Sequence, residues 1–90
     1  MKIARSIRIS GKVQGVFFRA SAKDKADELN LSGFVRNEPD GSVYIEAEGE
    51  QEKLDQFIAW CRKGPRMSRV DGCEVVEKDV SGSAGFAIQR

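Results

Sequence analysis

The fold of this chain is decided by residues 11–19, Gly-Lys-Val-Gln-Gly-Val-Phe-Phe-Arg. Before this stretch, residues 3–10 alternate apolar and polar side chains, which predicts a strand with one buried face. After it, residues 20–29 repeat apolar side chains at helical spacing, with charged residues between them. A strand that runs through a glycine-bearing loop into a helix favours anion binding, because loop N–H groups and the positive end of the helix dipole meet there. The stretch therefore predicts a phosphate-sized anion site.

Arg19, at the end of this loop, is the first candidate ligand. Its planar guanidinium offers a fork of donors suited to phosphate. The alternative is an ordinary surface arginine. Cations are disfavoured near a helix N-terminus unless an anion is present, and this argument gives the ligand interpretation the same weight as the alternative.

Composition excludes several kinds of chemistry. The chain has 90 residues, of which 40% are hydrophobic and 32% charged, with a net charge of +1 and no histidine. These values predict one globular domain spanning residues 1–90, without a broad basic face for nucleic acid. Without histidine there is no Ser-His or Cys-His catalytic pair. The N-terminus is too charged for a signal peptide and no run is long enough for a membrane span, so we expect a cytoplasmic protein.

The remaining residues predict a hairpin, a second helix and two further strands. Residues 34–37 and 42–48 flank the turn Glu38-Pro39-Asp40-Gly41, whose proline and glycine fit a type I turn. The next elements are a helix over 49–63, a strand over 70–80, a flexible connection over 81–85 and a short strand over 86–88. The order β-α-β-β-α-β plus a small terminal strand predicts an α+β, ferredoxin-like sandwich, an antiparallel sheet with both helices on one face.

Three further side chains, those of Asn37, Cys61 and Cys73, admit two interpretations each, whereas Asn30 and Leu31 have one. Asn37 ends a strand, where its amide makes a local turn hydrogen bond or projects from the sheet edge toward the loop. Asn30 and Leu31 predict a left-handed helix cap with a hydrophobic contact. Cys61 and Cys73 are expected to be buried free thiols, the alternative being a disulfide.

Two motifs resemble the signatures of the acylphosphatase family, and the similarity spans nearly the whole chain. The first is Gly11-x-Val13-Gln14-Gly15-Val16-x-Phe18-Arg19. The second is Gly33-Phe34-Val35-Arg36-Asn37, followed by Gly41-x-Val43 and Gly49. Gly64-Pro65, Val70 and Phe86-x-Ile88 also fit the pattern.

This resemblance implies a specific reaction and a specific site. It implies hydrolysis of an acyl phosphate to a carboxylate and inorganic phosphate, with no metal or other cofactor. Arg19 would bind the phosphate and Asn37 would position the attacking water. The cradle would be completed by backbone N–H groups of Gln14, Gly15, Val16, Phe17 and Phe18. Phe17 and the small residues 20–22 depart from the pattern in ways that bear on acyl-group preference.

Two alternatives have the same predicted fold. One is a non-catalytic module that binds an anion and serves regulation. The other is an RNA-recognition domain, which expects stacked aromatics on a central strand, whereas the outward face of residues 42–48 is acidic. We expect a monomer whose partners are an acyl phosphate and inorganic phosphate, with neither nucleic acid nor membrane.

Overall fold

The computed structural model describes residues 1–89, which form two helices and a five-stranded sheet. The elements are β1 (Lys2–Lys12), α1 (Phe18–Glu28), β2 (Ser32–Asn37), β3 (Val43–Glu50), α2 (Gln51–Lys63), β4 (Arg69–Lys78) and β5 (Phe86–Ile88). The strands lie in the order β4-β1-β3-β2-β5. The ferredoxin-like arrangement is confirmed. Neither helix in the described part has the length and apolar character to cross a bilayer.

The sheet is mixed rather than wholly antiparallel. β1 pairs antiparallel with β3 and β4, and β2 pairs antiparallel with β3, so the predicted hairpin is confirmed. The predicted antiparallel sheet is formed by β1 to β4. The short terminal strand, whose direction was not predicted, joins its edge because β5 pairs parallel with β2. This pairing brings residues 86–88 alongside β2 and next to α1.

The core fills the space between the helices and one face of the sheet. Ile7, Ile9 and Ile45 from the strands are fully buried, as are Leu54 and Phe57 of α2. Each such side chain contributes roughly 1.5–3 kcal/mol to folding through removal from water. On the shorter helix, the buried positions are the two predicted alanines and Phe18. Small residues there let α1 pack closely onto the sheet.

Two helix boundaries differ from the sequence-based expectation. α1 begins at Phe18, not Ala20, because the ring of Phe18 is buried and packs against Trp60, with ring centroids 5.5 Å apart and planes tilted by 56°. Arg19 therefore lies in the helix and not in the loop. Residues 49 and 50 belong to β3, not to α2, because Gly49 pairs with Ile3 in the sheet.

The end of α1 follows the prediction. Asn30 has a left-handed backbone, with φ of 57°. Its N–H donates to the Asp27 carbonyl and the N–H of Leu31 donates to the Ala26 carbonyl, which is a Schellman arrangement. Leu31 is buried. The two cysteines are free thiols, as expected. Cys61 is buried and Cys73 half-buried, and burial raises the pKa of each thiol.

The connection before β5 is anchored, which corrects the expectation that residues 81–85 are flexible. Glu48 was expected to face outward, yet its side chain is buried because this connection covers it. Its carboxylate accepts hydrogen bonds from the N–H groups of Ser81 and Ser83, each at 2.9 Å. The two serine hydroxyls also donate to it. Glu48 thus ties the segment that leads into β5 to the centre of the sheet.

We predict that this anchor makes folding stability depend on acid pH. Burial by itself raises the pKa of Glu48, but donors from Ser81, Ser83 and Gly82 outweigh it and hold the pKa below its ordinary value of 4.5. A carboxyl whose pKa is lower in the folded state stabilises the fold above its unfolded pKa, and that contribution is lost as pH falls through the folded pKa. Glu48→Gln should lower the free energy of unfolding at pH 7 by about 1–3 kcal/mol.

Urea denaturation at pH 7 and at pH 3 measures this effect. The difference between wild type and Glu48→Gln should shrink at the lower pH, because protonation removes the charge of Glu48 as the pH falls through its folded pKa. Glu74→Gln is the matched control, since Glu74 is exposed on β4. A Glu48→Gln penalty that is equal at both pH values would contradict the prediction.

Candidate active site

One cavity joins the loop, the start of α1, the end of β2 and β5. Its volume is about 330 Å³, and its lining residues are Val13, Gly15, Phe17, Phe18, Arg19, Ala20, Asn37 and Ile88. Arg19 and Asn37, which are far apart in the sequence, therefore face the same space. The sheet produces this meeting, since the end of β2 lies beside β5 and near the N-terminus of α1.

The loop after β1 alternates in backbone handedness. Gly15 and Phe17 have positive φ values of 74° and 63°, whereas Val16 between them does not. Alternation of this kind curves successive N–H groups into a concave nest for an anion. Phe17 occupies the N-cap position of α1 without a side-chain hydrogen bond to the helix. The N-terminus of the helix is thus left open toward the cavity.

The N–H groups along this loop have no hydrogen-bond acceptor among the residues that the structure describes. Within residues 1–89, no backbone N–H from Gln14 to Ala20 donates to a carbonyl, and the first to do so is that of Ser21, to the Phe17 carbonyl at 3.0 Å. Backbone donors in folded proteins are nearly always paired. A row of free donors at a helix N-terminus is therefore suited to bind an anion.

Arg19 adds a full positive charge to this row of donors. It is half-buried, in the first turn of α1, and its Nη1 donates to the Gln89 carbonyl at 3.3 Å. This contact links the guanidinium to the residue that follows β5. A cation at the positive end of a helix dipole is unfavourable alone and becomes favourable when an anion neutralises it. The electrostatics of the site thus favour a bound anion.

Gln14 connects the loop to the β2–β3 turn. Its Nε2 donates to the Glu38 carbonyl at 2.8 Å and to the Ser42 carbonyl at 2.9 Å. Glu38 directly follows Asn37 in the chain. The side chain of Gln14 therefore holds the anion-binding loop next to the end of β2, a role that sequence reasoning missed.

Several hydrogen bonds hold the turn together. The Gly41 N–H donates to the Glu38 carbonyl at 3.1 Å, which confirms the predicted turn. The Asp40 carboxylate accepts bonds from the hydroxyl and the N–H of Ser42, and these bonds lower the pKa of Asp40 below 3.8. Ser42, expected to face outward, is buried because of these contacts. Asn37 is thereby held at a fixed strand end.

The negative charge of Glu38, next to Asn37, is balanced by two arginines. The Glu38 carboxylate lies 3.2 Å from Nε of Arg36 and 3.9 Å from Nη2 of Arg8. Two arginines on one carboxylate leave little free negative potential to repel an anion in the neighbouring cavity. The Asn37 side chain makes no hydrogen bond within the described residues, so the alternative of a local turn bond is not what the structure contains.

The predicted site residues divide into two groups. The cavity is lined by Gly15, Phe17, Phe18, Arg19 and Asn37. Gln14 and Val16 do not line it. Val16 is instead buried in the core, and Gln14 supports the loop from behind through its contacts with the turn.

Sequence reasoning missed the contribution of β5. Ile88 lines the cavity and the carbonyl of Gln89 accepts from Arg19. The sequence signal for the strand was present in residues 86–88. Its position beside Arg19 depends on parallel pairing with β2, which no local pattern indicates.

A family model, relatives in sequence and two solved structures agree on one family. The acylphosphatase family model matches residues 5–88. An acylphosphatase of Methylococcus capsulatus is 51% identical over 85 residues, which cover 93% of this chain and 92% of that protein. An acylphosphatase of Coxiella burnetii superposes with a TM-score of 0.94 at 35% identity, over 98% of this chain and 93% of that one. The Bacillus subtilis acylphosphatase superposes with a TM-score of 0.95 at 35% identity, over 98% of this chain and 99% of that one.

Sequence and fold agree with the motifs around the cavity. The family model covers both the loop with Arg19 and the strand that ends at Asn37. The solved structures share the whole fold, including β5, since they superpose on nearly all of the chain. This chain belongs to the acylphosphatase family.

Proposed function

We propose that the chain hydrolyses acyl phosphates, with Arg19 and the loop N–H groups binding the phosphoryl group and Asn37 orienting the attacking water. The observation that carries this proposal is the row of N–H groups from Gln14 to Ala20, which find no acceptor within residues 1–89 and lie at the edge of a cavity that Arg19 and Asn37 also line. Membership of the acylphosphatase family supports the choice of substrate class.

The chemistry of an acyl phosphate suits a site without histidine. Water attacks phosphorus, the bond from phosphorus to the acyl oxygen breaks, and that oxygen leaves with the bond's electron pair as a carboxylate. The conjugate acid of the leaving group has a pKa near 4, so the carboxylate departs without a general acid. In a loose transition state the water needs orientation more than deprotonation, and a phosphoryl oxygen takes its proton.

The roles of the residues follow from where charge develops. Negative charge on the phosphoryl oxygens is stabilised by the guanidinium of Arg19 and the N–H groups, which are oriented before the substrate arrives. The amide of Asn37 lies across the cavity with its donors and acceptor free to hold a water in line for attack. Gln14 is a positioning residue, because its side chain holds the loop against the turn that follows Asn37.

The outward face of the sheet argues against RNA recognition. Arg36 lies over the rings of both Phe34 and Tyr44, at 5.4 Å and 4.9 Å from their centroids. The hydroxyl of Tyr44 donates to the Glu46 carboxylate. These rings are thus covered by a guanidinium and flanked by negative charge, whereas stacking of bases needs open ring faces.

We also propose that residues 1–90 act as a single, monomeric, cytoplasmic domain. One continuous hydrophobic core supports the single domain. Two free thiols fit a reducing compartment. Analytical ultracentrifugation would test the monomer, and a dimeric mass at micromolar concentration would contradict it.

Benzoyl phosphate hydrolysis in the presence of EDTA is the test of the proposed activity. We expect turnover that is equal with and without the chelator, followed as release of inorganic phosphate. Isothermal titration with inorganic phosphate provides the companion measurement. Phosphate binding without turnover of any acyl phosphate would favour the non-catalytic anion-binding module over the enzyme.

A further inference from the structure

Two exposed apolar side chains stand at the mouth of the cavity. Phe17 is 80% exposed and Ile88 is 38% exposed, and both line the same space as Arg19 and Asn37. Isolated apolar side chains on a surface are common, but apolar side chains that converge on a cavity with a few polar groups are typical of a ligand site. The polar side of this cavity is already assigned to the phosphoryl group.

The backbone of Phe17 holds its ring away from the core. Its φ and ψ are 63° and 23°, a left-handed conformation that is unfavourable for a bulky side chain. Glycine or asparagine would adopt it more easily, so the loop geometry does not require a phenyl ring. Unfavourable backbone conformations of this kind cluster at ligand sites. The ring thus stands exposed beside the row of free N–H groups, where it can contact a ligand.

Ile88 lines the cavity from β5, whereas Phe17 lines it from the loop before α1. It lies on β5, paired with Val35 of β2, and directly precedes the residue whose carbonyl accepts from Arg19. Ala20, in the first turn of α1, contributes a small side chain to the lining. One side of the cavity is therefore apolar and adjoins the guanidinium.

We propose that Phe17, Ala20 and Ile88 form an apolar wall that binds the acyl group and makes the protein select aromatic and branched acyl phosphates over acetyl phosphate. This inference rests on the proposed function, because an acyl phosphate with its phosphoryl group on the loop must direct its carbon chain to the rest of the cavity. A phenyl or branched acyl group would lose its contact with water against the wall, whereas an acetyl group has little surface to bury.

The ratio of kcat/KM for benzoyl phosphate to that for acetyl phosphate tests the wall. Phe17→Gly removes the ring and keeps the left-handed backbone accessible. Its ratio should fall by about tenfold, the size expected when an apolar contact with a substrate is lost. Ile88→Ala should shift the ratio in the same direction. Val80→Ala is the matched control, because Val80 is also an exposed aliphatic residue, at 45%, and does not line this cavity.

An unchanged ratio in both Phe17→Gly and Ile88→Ala would overturn the proposal, even if both substrates were hydrolysed more slowly. Equal loss with both substrates would indicate that Phe17 only shapes the loop. Circular dichroism checks folding of each variant. Ile88→Ala, on a strand and not on the loop, carries the test if Phe17→Gly does not fold.

A binding measurement separates failure of this inference from failure of the proposed function. Benzylphosphonate and methylphosphonate share the anionic group, are not hydrolysed, and differ in their apolar part. Wild type should bind benzylphosphonate more tightly by calorimetry, and Phe17→Gly should lose that preference. This result would support the wall even in a protein without turnover, whereas equal affinities in wild type would refute the wall even in an active enzyme.

Discussion

Arg19→Ala is expected to lower kcat/KM for benzoyl phosphate by about 10²–10³, the loss typical of a donor that stabilises transition-state charge. Arg19 provides the only full charge among the residues that line the cavity in the described chain. Its position at the N-terminus of α1 places this charge beside the N–H groups of the loop, and within residues 1–89 Arg19 forms no ion pair with a carboxylate. Initial rates over a range of substrate concentrations give kcat and KM separately.

Arg19→Lys distinguishes charge from geometry. Lysine keeps the charge but lacks the planar fork, so its kcat/KM should lie between wild type and alanine. Affinity for inorganic phosphate should fall in the same order. The folded state should be no less stable in Arg19→Ala, since removing a cation from a helix N-terminus is favourable by itself. An alanine variant with wild-type kcat/KM would remove Arg19 from the mechanism.

Asn37→Ala should reduce kcat by about 10², because misplacement of a reactant by about 1 Å has an effect of this size. KM should change little, since an amide that orients the water contributes to the transition state and not to binding of the phosphoryl group. Asn37 is half-buried at the end of β2, directly before a turn that is closed by hydrogen bonds. Steady-state kinetics with benzoyl phosphate measure both constants.

Asn37→Asp is the informative control. It keeps the shape of the side chain but places a negative charge beside the phosphoryl group, so it should raise KM as well as lower kcat. A variant Asn37→Ala that raises KM and leaves kcat unchanged would show that Asn37 binds substrate and does not orient water.

The sequence predicted the elements that depend on local signals. Apolar residues that recur every 2 positions indicated strands, and apolar residues that recur every 3.6 positions indicated helices. The turn at 38–41 was recognised from its proline and glycine. The left-handed cap at Asn30 was recognised because asparagine tolerates that conformation. Arg19 and Asn37 were identified from motifs, and the structure places both on one cavity.

Errors occurred where long-range contacts overrode local signals. Residues 81–85 look like a flexible linker, since serine and glycine lack apolar surface to bury. The buried carboxylate of Glu48 on β3 holds them in place from a distant part of the chain. Likewise, Gly49 reads as the start of a helix, yet pairing with β1 keeps it in the sheet.

By itself, the sequence determined the α+β class, the element order and the two motifs, because spacing and turn chemistry act between near neighbours. Only the tertiary structure decided that β5 pairs with β2 and brings Ile88 and the Gln89 carbonyl to Arg19. It also decided that Gln14 joins the loop to the turn after Asn37. Such contacts join residues distant in the chain, so they form only when the sheet and the core bring those residues together.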